Sequence, residues 1–322
     1  MKRIGVLTSG GDNPGLNPCI RAVVRMGIHL GIEVMGIRRG YAGLIDGEID
    51  EMDARSVGGI IGHGGTILAT ARCTEFYEAK GRKMALRSLN RFGIEGLVVV
   101  GGNGSLTGAL ALWRMGFPTV GIPSTIDNDV NGTDISIGVD TALNTILDAI
   151  DKIKDTASSH NRAFLIETMG RASGYLAMAS GVAGGAEMVL CPEVETPFEE
   201  ICRTIDDAYV RGKPHCIIVV AEGWHDGAHA LAEQLQTRED LGFSVRVTQL
   251  GHVQRGGSPS AFDRLLATRL GAAAAHALHS GNAGNMVGWI KNATALTSLE
   301  EAVAFEKELS NELWELARIM EV

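Results

Sequence analysis

Ile4-Gly5-Val6-Leu7-Thr8-Ser9-Gly10-Gly11-Asp12 sets an apolar, β-prone run directly against a pair of glycines. A short apolar run bounded by turn residues reads as a buried strand, here Ile4–Leu7. The stretch after the glycines predicts a helix beginning near Pro18. Strand, glycine turn and helix in that order present backbone N–H groups and a helix N-terminus to an anion. No Gly-Lys-Ser/Thr follows, so the turn is not a Walker loop. Glu33 lies at the start of the second strand, where it could not reach a ribose, so the turn is also a poor dinucleotide fingerprint and a nicotinamide dehydrogenase is only a distant alternative.

Outward from that stretch the same unit recurs. Glu33–Ile37, Gly96–Val100, Thr119–Pro123, Ala163–Glu167, Cys216–Ala221 and Ser244–Gln249 are further strands. Val139–Lys154 carries Val139, Ala142, Leu143, Ile146, Ile150 and Ile153 at helical spacing, and Leu265–Leu278 is a second such stretch. Ser298 followed by Glu301 predicts a capped last helix running through Ile319. Strands alternating with helices imply an α/β fold with mainly parallel sheets and right-handed crossovers. No repeat, low-complexity tract or linker separates the parts.

The chain holds 42 glycines in 322 residues, nearly twice the usual share of about 7%. They fall at strand ends, together with polar residues: Gly101-Gly102-Asn103-Gly104-Ser105, Ser124-Thr125-Ile126-Asp127-Asn128-Asp129, Met169-Gly170-Arg171, Glu222-Gly223 and Gly251-His252. Turns between strands and helices favour glycine anyway, but that preference does not explain the acids and arginines. Open α/β sheets bind ligands at the carboxyl ends of their strands. Two glycine loops in one sheet suit a polyphosphate. Asp127 and Asp129 are spaced to divide the roles of base and metal control, or to form an Asx-rich turn. Arg162, Arg171, Arg246 and Arg255 read as four guanidinium forks near one sheet edge, suited to phosphate. Arg21 and Arg25 share a helix face that is either solvated or binds an anion.

Composition narrows the partners. The net charge is −9 and there is no basic tract, which argues against nucleic acid. Cys19, Cys73, Cys191, Cys202 and Cys216 form no C-x-x-C pair, which fits a reducing cytoplasm. The first apolar run is too short for a signal peptide, and nothing approaches the roughly 20 apolar residues of a membrane span.

Taken together, Leu7–Asp12, Pro123–Asp129, Met169–Arg171 and Gly251-His252-Val253-Gln254-Arg255-Gly256-Gly257-Ser258 resemble the phosphofructokinase family in its bacterial, ATP-dependent form. The resemblance runs from Ile4 to about Gly288. It implies two interleaved Rossmann-like three-layer αβα lobes with the active site in the cleft between them, in a homotetramer. One lobe would comprise 1–138 plus about 252–300 and bind nucleotide. The other would comprise 139–251 plus about 301–322 and bind the sugar phosphate. It further implies a glycolytic enzyme that phosphorylates the 1-hydroxyl of fructose 6-phosphate. By the same resemblance Asp127 is the base, Thr125 and Asp129 orient the reacting groups and Mg2+, and Arg171 and the Gly11 amide stabilise the moving phosphoryl group. Met169, Gly170, Glu222, His252 and Arg255 resemble sugar-phosphate contacts, while Arg162 and Arg246 resemble the pair that reaches the 6-phosphate from a neighbouring subunit. Tyr41, Arg72, Cys73, Gly102, Asn103, Gly104 and Ser105 look like the nucleotide side. Arg21, Arg25, Lys154, Gly185, Glu187, Arg211, Lys213 and His215 match the family's effector pocket for ADP or phosphoenolpyruvate, which favours the anion-binding reading of the two helix arginines.

Several positions depart from the family pattern. Pyrophosphate-using relatives usually carry Asp at the Gly104 position and Lys at the Ser124 position; the small residues here leave room for a nucleotide, so ATP is the expected donor over pyrophosphate. The family's ATP enzymes usually have Asp at the Asn103 position, so Asn103 weakens the metal site, and a non-catalytic regulatory paralogue is the alternative. Intact Asp127 and Arg171 argue against that alternative. Ala54-Arg55 and Gly59 replace an Arg-Tyr pair and an acid, so a binding pocket without the standard effector response is expected.

Overall fold

The computed structural model describes residues 1–225, 227–238 and 240–320. The chain forms two compact units, Met1–Thr141 with Arg255–Lys307, and Ala142–Gln254 with Glu308–Val322. The first passage through the first unit gives β1 (Arg3–Thr8), α1 (Leu16–His29), β2 (Glu33–Ile37), α2 (Gly40–Asp46) and β3 (Ile49–Met52). It continues with α3 (Ala79–Arg91), β4 (Gly96–Gly101), α4 (Asn103–Arg114) and β5 (Thr119–Pro123). Next come α5 (Val139–His160), β6 (Arg162–Thr168), α6 (Tyr175–Gly184), β7 (Met188–Leu190), α7 (Phe198–Val210), β8 (His215–Ala221), α8 (Gly227–Gln236) and β9 (Ser244–Gln249). The return passage adds α9 (Ala261–His279), β10 (Asn285–Ile290), β11 (Ala293–Ser298) and α10 (Leu299–Ala304), and α11 (Asn311–Met320) follows.

The first unit is built on a sheet of order β11-β10-β5-β4-β1-β2-β3. Its inner strands are parallel, and β3 and β11 pair antiparallel with β2 and β10. Alternate residues point to opposite faces. Val6 and Val98 therefore join the core under α1 and α9, while Leu7, Leu97 and Val99 join the core under α2, α3 and α4. Both faces are covered, which is why these strands read as continuous apolar runs. Gly271 lets α9 approach α1 closely: a Cβ there would meet the Cys19 carbonyl oxygen at 2.7 Å. The start of α5 is capped from a distance by fully buried Asp263, which accepts from the Gly138 and Thr141 amides at 2.8 Å each. Burial pushes the Asp263 carboxyl up, and those hydrogen bonds oppose the shift.

The second unit has a parallel sheet of order β7-β8-β6-β9. Ile201 and Ile205 of α7 and Leu231 and Leu235 of α8 pack on Leu165, Ile218 and Val220. Helix α11 packs on α6.

Several elements differ from the sequence reading. Strands β3, β7, β10 and β11 have no counterpart in it. The expected last helix is two. Ser298 does cap α10, its Oγ accepting from the Glu301 amide at 3.1 Å. That helix stops at Ala304 because Phe305 is extended and Glu306 pairs antiparallel with Val130. Among the described residues, no helix is long and apolar enough to cross a membrane.

Candidate active site

In the first sheet the chain runs from β1 outward to β3, then returns to the other side of β1 to make β4. A crevice opens at the carboxyl ends of strands where the order reverses in this way. Both glycine loops lie there. Gly10 turns with φ +90° and its carbonyl accepts from Thr70 Oγ1 at 2.8 Å. Ser9 N–H donates to the Val100 carbonyl at 3.0 Å, so the β1 loop is fastened to β4. A Cβ at Gly101 would collide with the Ser9 carbonyl, so glycine is what lets the two loops touch. Gly102 is the N-cap of α4, which begins at Asn103; the Ser105 amide donates back to the Gly102 carbonyl at 2.9 Å, and the amides of 103 and 104 are those the helix terminus leaves without an intrahelical acceptor. A Cβ on Gly104 would meet no heavy atom within 4 Å, which leaves open space above this helix end.

Tyr41 supports the loop from beneath. It is 5% exposed, stacks on Phe76 at 4.0 Å and donates its hydroxyl to the Ser105 carbonyl at 2.7 Å. Arg72 is exposed and Cys73 half-buried, on the segment that Thr66, Ala69 and Thr70 fix to β1.

After β5 the chain makes the acidic loop. Asp127 is 3% exposed, and its amide donates to Thr125 Oγ1 at 3.2 Å. Asn128 has φ +51°, a left-handed conformation that Asn tolerates better than most residues. Its Oδ1 accepts from the Ser136 amide at 3.0 Å, and its Nδ2 donates to the Asp134 carbonyl at 3.3 Å. The turn thus holds Asp127 and Asp129 on either side of an anchored residue. Asn103 Nδ2 donates to Asp129 Oδ2 at 3.0 Å and to the Asp129 carbonyl at 3.3 Å, joining the acidic loop to the α4 terminus. From the return passage, the Lys307 amide donates to the Asp129 carbonyl at 3.0 Å and Lys307 Nζ donates to the Asp134 carbonyl at 2.5 Å. Burial lowers the Lys307 pKa, and Asp134 and Asp129 counter it.

In the second unit, Met169-Gly170-Arg171 follows β6. Glu222 Oε1 accepts from the Gly170 amide at 3.2 Å and the Arg171 amide at 2.8 Å. Gln254, fully buried, accepts from the Met169 amide at 3.1 Å. Arg171 has φ +54°, and a Cβ at Gly223 would collide with its carbonyl. His252 is exposed beyond β9.

The four arginines do not share an edge, contrary to the sequence reading. Arg171 follows the carboxyl end of β6, whereas Arg162 is its first residue. Arg246 pairs with Phe164 in the amino-terminal half of β9. Parallel strands start at one edge and finish at the other, so Arg162 lies at the edge opposite Arg171. His215, first residue of β8, pairs with Arg162. Near it, Lys213 meets Glu187 at 3.3 Å, Glu187 accepts from the Ile217 amide at 2.6 Å, and His215 Nδ1 lies 2.8 Å from Ser158 Oγ. Lys154 Nζ donates to the Gly184 carbonyl, beside Gly185. Burial lowers the His215 pKa, Lys154 and Lys213 lower it further, and Glu187 opposes them. Arg211 is exposed after α7. In the first unit, Arg21 is half-buried and Arg25 exposed on α1.

The Phosphofructokinase family model matches residues 3–278. The chain belongs to the phosphofructokinase family. It is similar to the ATP-dependent 6-phosphofructokinase of Clostridium novyi (strain NT), 52% identical over 320 residues and 99% of each chain. It is also 52% identical to that of Halalkalibacterium halodurans over 322 residues, covering all of both. A solved phosphofructokinase from Saccharomyces cerevisiae superposes with a TM-score of 0.88 at 36% identity, covering 100% of this chain and 47% of the yeast chain. The chain therefore spans about half the length of that structure.

Within this phosphofructokinase fold, three bracing residues escaped the sequence reading: Gln254, Asn128 and Lys307. Asn128 was legible as an Asx residue in a turn. Gln254 and Lys307 act on loops 85 and 178 positions earlier, counting from Met169 and Asp129; Gln254 stands in a recognisable stretch that does not reveal its bracing role, and no local signal marks Lys307.

Proposed function

We propose that the chain transfers the terminal phosphoryl group of ATP to the 1-hydroxyl of fructose 6-phosphate, giving fructose 1,6-bisphosphate and ADP in the cytoplasm. The observation that carries this reading is the Asn103–Asp129 hydrogen bond, which ties the loop of a buried carboxylate to a phosphate-type helix terminus. Asp127 accepts the sugar hydroxyl proton. A carboxylate suffices because the transition state is loose and the proton leaves late. The Gly11 amide and the α4 terminus stabilise charge on the donor phosphates, and Arg171 does so from its Glu222-held loop.

Mg2+ fits the residues present. Asn103 Oδ1 is buried with no hydrogen-bond partner among the described residues, beside the Asp129 carboxylate, so two hard oxygens are at hand. Magnesium, when bound, neutralises charge on the β- and γ-phosphates. One carboxylate and one amide suit an ion that arrives already carried by phosphates.

Open space above Gly104 favours ATP over pyrophosphate. Arg162 and Arg246, away from the Arg171 edge, are assigned to a neighbouring subunit's sugar phosphate in a homotetramer. The Lys154, Lys213 and His215 cluster, with Gly185, Glu187, Arg211, Arg21 and Arg25, is assigned to ADP or phosphoenolpyruvate as effector.

The test is product formation from fructose 6-phosphate and Mg2+, with ATP compared against pyrophosphate and Asp127→Ser as control. Turnover with ATP alone, abolished in the variant, supports the reading. Turnover with pyrophosphate alone overturns the donor, and no turnover with either overturns the activity.

A further inference from the structure

Glu167 is a buried acid that the proposed mechanism does not use. It is 6% exposed, next to last in β6. A carboxylate taken out of water is costly unless hydrogen bonds satisfy it, and both of its oxygens are spent on neutral donors. Oε2 accepts from the Ala228 amide at 2.9 Å, at the start of α8, where the helix terminus favours a negative charge. Gly227 turns there with φ +78°, and a Cβ on it would come within 2.9 Å of the same oxygen. Oε1 accepts from Gln249 Nε2 at 2.5 Å.

The second bond matters because of where β9 lies. It is an edge strand with β6 as its sheet neighbour, and Val245 alone among its six residues is buried. Gln249, its last residue, sits opposite Glu167. The next amide, that of Leu250, donates to the Glu167 carbonyl at 3.0 Å. His252 follows, between this tie and the one that Gln254 makes to the Met169 amide at 3.1 Å. The Arg171 loop has a separate brace in Glu222.

We infer that Glu167 is a positioning residue for the sugar phosphate: held on the α8 terminus, it fixes through Gln249 where β9 delivers His252. It touches no reactant. Its effect falls on the affinity for fructose 6-phosphate and not on the donor, whose turns lie in the first unit.

The inference rests on the proposed reading of His252 as a sugar-phosphate contact. Fructose 6-phosphate and ATP are each titrated alone into the full chain by calorimetry, and turnover is measured in parallel. Gln249→Leu removes the tie at an exposed position and is expected to weaken fructose 6-phosphate binding about tenfold. ATP binding and kcat should stay within about twofold, since neither the donor turns nor the Arg171 brace is touched. Gln249→Glu sets two carboxylates against each other and should weaken fructose 6-phosphate binding at least as much. Glu167→Gln alone should be mild, because Gln249 can turn its amide to accept from the new one. Combining Glu167→Gln with Gln249→Glu restores a donor facing an acceptor and should bring the affinity back to within about threefold of wild type. A merely structural role would not give that recovery. Should Gln249→Glu fail to fold, as its thermal midpoint would report, Gln249→Leu decides. Unchanged fructose 6-phosphate affinity in Gln249→Leu overturns the inference, as does an equal loss for both ligands or a double variant no better than a folded Gln249→Glu. Wild-type protein that binds fructose 6-phosphate without turning it over ends the proposed activity and leaves the affinities to decide the role of Glu167. Wild-type protein that does not bind it ends both.

Discussion

Asn103 donates its side-chain amide to the Asp129 carboxylate at 3.0 Å. An acid at position 103 would put a second carboxylate at the same separation, where two negative charges repel unless a cation sits between them. The amide turns that repulsion into a hydrogen bond, so the two loops hold together without metal.

Asn103→Asp should therefore create a site that binds a divalent cation in the absence of nucleotide. Titration of Mn2+ followed by electron paramagnetic resonance should show affinity at least tenfold above wild type. The magnesium concentration needed for half-maximal turnover should fall in parallel. An unchanged Mn2+ affinity would remove the argument that Asn103 replaces a metal contact.

Asn128→Ala removes two side-chain hydrogen bonds and places a Cβ-bearing residue with no compensating polarity at φ +51°. The expected cost is about 1–3 kcal/mol of stability. The larger effect should be on turnover: a shift of Asp127 by about 1 Å can cost on the order of 100-fold. Asn128→Gly relieves the backbone but not the lost bonds, so it should recover stability more than kcat.

Glu222→Ala leaves the Gly170 and Arg171 amides without their acceptor. Hydrogen bonds to a charged group contribute about 1.5–3 kcal/mol, so kcat/KM for fructose 6-phosphate should fall about 10- to 100-fold. Glu222→Gln retains an acceptor and should lose much less. Equal losses in the two variants would mean that the carboxylate charge matters directly and the loop does not depend on it.

His215 gives a pH dependence. Its pKa is lowered below the ordinary 6.5, first by burial. A folded state that binds its proton more weakly than the unfolded state loses stability as pH falls. The thermal midpoint should therefore drop as pH falls from 6.5, the unfolded value, through the lower folded one. An anion bound beside Lys154 and Lys213 would favour the protonated ring. Stabilisation by phosphoenolpyruvate should thus grow over the same interval, with proton uptake visible in calorimetry, and His215→Gln should flatten both trends.

The parallel core of both sheets was legible because its strands are unbroken apolar runs, and Glu33–Ile37, Thr119–Pro123 and Ser244–Gln249 match the structure residue for residue. The outer strands were not. Ile49–Met52 is short and carries two acids, and Met188–Leu190 is only three residues. The β10–β11 hairpin turns through Lys291 and Asn292 at φ +49° and +62°, a positive-φ pair usually marked by Asn-Gly or Asp-Gly. At the site, each motif announced its own loop, but not its edge of the sheet. The direction of β6 alone decides that Arg162 and Arg171, nine positions apart, lie at opposite ends. Register between distant strands lies beyond a local pattern.

Lys307 fastens the acidic loop from the return passage, and Asp134 further braces it by accepting the Lys291 amide and donating its own to the Trp289 carbonyl. The two glycine turns lie within residues 10–105, yet the core beneath them includes Leu266, Leu270 and Ala274 of α9. The acidic loop takes its last brace from Lys307. The first unit is thus one cooperative body closed by its own final passage, so a cut between α5 and α9 should loosen both loops together.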